Sequence, residues 1–120
     1  MGKTKEATSG IVLDSREQQV IVFRALGESL RRLTAWEVRG TLTVEQKEEV
    51  DILRELAYKL VDSLGQKLEP WVAVHYGLLK LVPDEELVRL ANLGHDTYPA
   101  LELPVSMKAK YFLEQKESQA

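Results

Sequence analysis

The sequence predicts an all-α fold, a four- to five-helix bundle built on a long antiparallel helical hairpin and closed by a short C-terminal helix. Apolar residues recur at three- and four-residue steps through most of the chain, and the periodic runs open at capping residues or prolines and stop at glycines. The first two runs are joined by a link short enough to fold them back on each other. At 120 residues, with 44% hydrophobic and 29% charged residues, the chain has the size and composition of one ordinary globular domain. The expected layout is a flexible N-terminal tail over 1–12, a single helical domain over 13–116 and a C-terminal tail over 117–120.

The first helix is expected to start at Asp14, which with Glu17 three residues on makes a capping box, and Leu13 stands where a hydrophobic staple belongs. Val20, Phe23, Leu26, Leu30, Leu33 and Trp36 then form one stripe up to Gly40. Gly27 interrupts the helix at a cost of about 1 kcal/mol relative to alanine and permits another backbone to come close. The second helix opens with a capping box at Thr43 and Gln46 and carries Val50, Leu53, Ala57, Leu60 and Leu64 before Gly65. Arg16, Arg24, Arg31, Arg32 and Arg39 on the first helix are matched by six acids on the second, Glu45, Glu48, Glu49, Asp51, Glu55 and Asp62, so ion pairing across the hairpin is expected.

Pro70 suits a first helical position and opens a third helix, apolar on most of its circumference, running to Leu81. Pro83 restarts a fourth, with acids in its first turn and Gly94 as its stop. His95 to Pro104 holds two prolines and no helical period, and reads as a loop laid over the bundle. A fifth helix follows from Val105, burying Ala109, Phe112 and Leu113.

Chemistry-bearing patterns are sparse. The two histidines, His75 and His95, are too few for a histidine-rich metal site, and neither forms the Glu-x-x-His pair of di-iron bundles. His75 sits in an apolar run and reads as a packed core histidine, and Lys80, five residues on, falls off its face. Phosphate loops, nucleophile elbows and dinucleotide fingerprints are absent from the sequence. Neither an enzymatic role nor a cofactor or metal is expected. Without cysteine, and with no apolar run of the ~18 residues a spanning helix needs, the chain reads as cytoplasmic and free of the membrane.

Ile21, Val22, Val38, Tyr58 and Val61 fall off the main stripes, which gives the hairpin helices apolar residues on a second side. The expected role is a non-enzymatic protein-protein interaction module, such as an adaptor, an assembly factor or an inhibitor-like subunit. It would act as a homodimer or on a protein partner, through the outer faces of the hairpin. The candidate partner-binding residues are Ile21, Arg24, Arg31, Arg32, Trp36 and Tyr58, with His95 and Tyr98 from the loop. The alternative is a small nucleic-acid-associated subunit using the helix-one arginines, which a net charge of −3 disfavours.

Overall fold

The computed structural model describes residues 15–93 and 103–119, which contain five α-helices, one 3-10 turn and no strand. Helix α1 spans Arg16–Arg39 and α2 Val44–Leu64, followed by α3 at Pro70–Tyr76, the turn Leu79–Leu81, α4 at Asp84–Ala91 and α5 at Val105–Gln119. The helical bundle and its long hairpin are as the periodicity predicts. Leu13, Asp14 and the 94–102 stretch, with Gly94, His95 and Tyr98, lie outside the described residues.

The start of α1 differs by one residue from the expected position. Ser15, not Asp14, is the cap: its backbone is extended and its Oγ accepts the amide hydrogen of Gln18 at 3.1 Å. The spacing of three that suggested Asp14 and Glu17 is repeated one position on by Ser15 and Gln18. At the far end Gly40 is left-handed (φ 74°), its N–H reaching the Glu37 carbonyl and that of Thr41 the Trp36 carbonyl, a Schellman stop. The reciprocal box at Thr43 and Gln46 caps α2 as expected, with bonds of 3.1 and 3.0 Å. Arg16 Nη1 bonds the Leu64 carbonyl at 3.1 Å and Ser63 Oγ bonds Gln19 Oε1 at 3.0 Å, so the open end of the hairpin is fastened as well.

Helix α3 is shorter than predicted. An apolar circumference reads as continuing helix, but Gly77 turns left-handed (φ 72°), and the Gly77 and Leu78 amides close onto the Val74 and Ala73 carbonyls. The turn also makes room: a Cβ on Gly77 would run into the guanidinium of Arg54. That guanidinium links four elements. Its Nη2 donates to Thr34 Oγ1 at 3.1 Å and to Glu37 Oε1 at 2.7 Å on α1, it lies on the Gly77 turn, and its Cζ stands 6.0 Å from the Phe112 ring on α5. This ion pair crosses the hairpin in the opposite sense to the one expected. The seam itself is lined by Leu30, Leu33, Val50, Ala57 and Leu60, while Arg24, Arg32 and most α2 acids are exposed.

Helix α1 packs against α2 on one side and against α3 and α5 on the other, and α4 closes the far side on α3 and α5. Leu30, Val74, Leu78, Leu87, Leu90, Val105 and Ala109 are fully buried at the junction. Among them lies Lys108, also fully buried, whose Nζ donates to the Arg31 and His75 carbonyls at 3.0 Å each. The His75 carbonyl belongs to the last turn of α3, where helical geometry supplies no donor, and Lys108 provides one. His75 itself is 2% exposed and meets Trp71 edge to face at 5.9 Å, the packed position its apolar run predicts.

Gly27 serves a side chain and not the backbone contact expected of it. The Tyr76 ring lies on it, and a Cβ there would stand 2.6 Å from Tyr76 Cζ, with Phe23 holding the ring edge to face at 6.0 Å. Gly27→Ala gains about 1 kcal/mol of helix propensity but forces a held ring aside, which costs about 1–3 kcal/mol. The melting temperature followed by circular dichroism is therefore expected to fall, and a rise would show that the ring moves freely.

Lys108→Ala empties a packed site and strips a buried carbonyl, and is expected to lower the unfolding free energy by about 3 kcal/mol or more. Lys108→Met refills the volume without the donors and should cost less. Urea denaturation of both variants checks this, and a Met variant as stable as the parent would show that the two hydrogen bonds add nothing net.

Candidate functional site

The bundle buries one side of the hairpin and leaves the other open. Two residues along a helix is about 200° of rotation, so Leu56 points away from Arg54 and Tyr58, the α2 side chains that reach α5 and the 3-10 turn, while Ile52 also borders the cleft beside them. Ile52 is 59% and Leu56 44% exposed, one turn apart on the same face, with Glu48, Glu49 and Glu55 exposed around them. On α1, Ile21 is 63% exposed beside Ala25, Arg24, Glu28 and Arg32, all exposed. The two outer faces differ in sign. The exposed charges of α1 are Arg16, Arg24, Arg32 and Arg39 against Glu17 and Glu28. Those of α2 are Glu45, Glu48, Glu49, Asp51, Glu55 and Asp62 against Lys47 and Lys59.

Of the residues the sequence nominates, Ile21, Arg24 and Arg32 share this open face. Arg31 does not: it is partly buried, pairs with Glu28 at 2.6 Å, and its carbonyl receives Lys108. Trp36 is partly buried, and Tyr76 is committed to Gly27 and Phe23. Tyr58 turns to the opposite side, where its hydroxyl accepts the Lys80 amide hydrogen at 3.1 Å and Lys80 Nζ stands 5.1 Å from its ring. Ile52 and Leu56 were legible as an i, i+4 pair off the Val50 to Leu64 stripe, but acids on both sides make the segment read as a solvated face.

Three open clefts accompany these surfaces. One, of about 390 Å³, lies between Asp51, Ile52, Arg54, Glu55, Tyr58 and Lys80. A second, of about 470 Å³, runs along Arg16, Val20, Ile21 and Arg24 on α1. The third, about 350 Å³ and more apolar, is framed by Val61, Leu68, Pro70, Leu81 and Pro83. Among the described residues, no group of three or more His, Asp or Glu side chains is placed to hold a metal ion, and no helix is long and apolar enough to cross a membrane. The open face carries aliphatic side chains inside a rim of charge.

No protein-family model matches this chain, and no match is found among curated proteins or solved structures.

Three tyrosines report on the packing around the site. Burial raises the pKa of Tyr58, Tyr76 and Tyr111 above the ordinary value. Tyr58 is partly offset by the Lys80 hydrogen bond and Arg54, Tyr76 is raised further by Glu28, and Tyr111 by Glu37. A raised phenol keeps its proton longer in the folded state than in the unfolded chain. Its contribution to stability is therefore complete below about pH 10 and is lost as pH climbs through the higher folded values. Phenolate absorbance is expected to lag behind that of free tyrosine and to rise together with loss of helix. Ordinary titration with the helices intact would contradict this packing.

Proposed function

We propose that this chain is a helical protein-interaction module, an adaptor or assembly-type subunit without chemistry of its own, that engages its partner through the outer face of the α1–α2 hairpin. One observation carries the reading: Ile52 and Leu56 stand exposed one turn apart on a helix whose other side is committed to the bundle. Exposed aliphatic residues scattered singly need no explanation, but an adjacent pair within a charged rim has the anatomy of an interface centre. The absence of cysteine suits a reducing setting such as the cytosol. Arg24 and Arg32 lie too close to the acidic α2 face for a nucleic-acid role to be the better reading.

The test is Ile52→Asp combined with Leu56→Asp, which leaves the core untouched and places carboxylates at the centre of the face. Helix content and melting temperature should stay near the parent values. Proteins crosslinked to the parent chain in its host should be lost with the variant. Recovery of the same set with both would remove the hairpin face from consideration.

A further inference from the structure

We propose that the outer face of the hairpin is a self-association surface on which α1 of one copy lies along α2 of a second, the two related by a two-fold axis. This rests on reading the hairpin face as an interface and names its partner. The argument is charge complementarity carried by a single chain. The arginines of α1 and the acids of α2 are the complementary sets that the sequence offers for pairing across the hairpin, yet the fold puts Arg24, Arg32, Glu55 and Asp62 on the outside. The ion pair that crosses inside, Arg54 to Glu37, uses none of them. A face that is basic along one helix and acidic along its neighbour is complementary to itself after a half-turn.

The register agrees. Within the hairpin, the bonds Arg16–Leu64 and Gln19–Ser63 fix the level at which α1 runs antiparallel to α2. A two-fold axis running along the hairpin keeps the helix directions and exchanges the helices. It therefore lays Arg32 of each copy level with Asp51 of the other, and Arg24 between Glu55 and Asp62. Ala25 of one copy is then level with Leu56 of its partner, so an aliphatic contact forms inside the charged rim. The interface is isologous, each contact occurring twice, and closes at two copies.

Sedimentation velocity and light scattering on the full chain, over a wide concentration range at low and high salt, test this. The parent is expected to move from monomer to dimer with concentration and back toward monomer with salt. Arg24→Glu with Arg32→Glu, and separately Glu55→Arg with Asp62→Arg, should each weaken self-association about tenfold or more, because every reversal acts twice. An equimolar mixture of the two variants should associate better than either alone.

A parent that stays monomeric at every concentration overturns the proposal, and so does a dimer indifferent to both reversals. If the parent is monomeric while the Ile52 and Leu56 double variant still loses a different crosslinked protein, self-association fails and the module reading stands.

Discussion

The ammonium of Lys108 lies between the carbonyl oxygens of Arg31 and His75, and three of the five helices meet through it. Helix α1 offers a carbonyl from mid-length, α3 offers one from its last turn, and α5 delivers the donor across sequence separations of 77 and 33 residues. A fully buried cation is costly unless its protons find acceptors, so this one restricts how the helices can sit. Sliding α5 by one residue would trade the ammonium for Met107, which is 50% exposed, or for Ala109. The apolar contacts of Val105, Ala109 and Phe112 tolerate small shifts, whereas a paired buried charge does not. The register of the bundle is set by the polar contact and its volume by the apolar ones.

Arg54 plays the matching part on the hairpin side. It is 15% exposed, holds Thr34 and Glu37 on α1, and lies flat on the Gly77 turn next to Phe112. Two long basic side chains, one from α2 and one from α5, thus hold α1 in place. Because these cations and their acceptors occupy the inward positions, the other charges of α1 and α2 are left on the outside, and the open face of the hairpin is charged in two halves.

Most of the architecture was legible in the sequence, because helix periodicity and stop signals are local properties. Thr43 with Gln46, Gly40, Gly65, Pro70 and Pro83 act where their chemistry says they should. The reading failed where a residue answers to something distant. Helix α3 stops early because Gly77 meets the Arg54 guanidinium, and no run of apolar residues announces that meeting. Lys108 reads as an ordinary polar position, although the pattern Val105, Lys108, Ala109, Phe112 puts it on the buried face by spacing alone. Ion pairing across the hairpin was inferred from composition, but composition is blind to which side of a helix a charge occupies. Of the nominated residues, Ile21, Arg24 and Arg32 are exposed, as their distance from the apolar stripe implies. Tyr58 is not, since being off the stripe on one side leads to Lys80 and on the other to solvent.

The seven-residue length of α3 has a consequence for the order in which the molecule is assembled. A helix of two turns has no independent stability, and here the donor for one of its final carbonyls comes from residue 108. The caps and end fastenings of the hairpin all come from residues 15–65. The inner half of the bundle must wait until α5 leaves the ribosome. Until α5 docks, the side of α1 that packs on α3 and α5 lacks part of its cover.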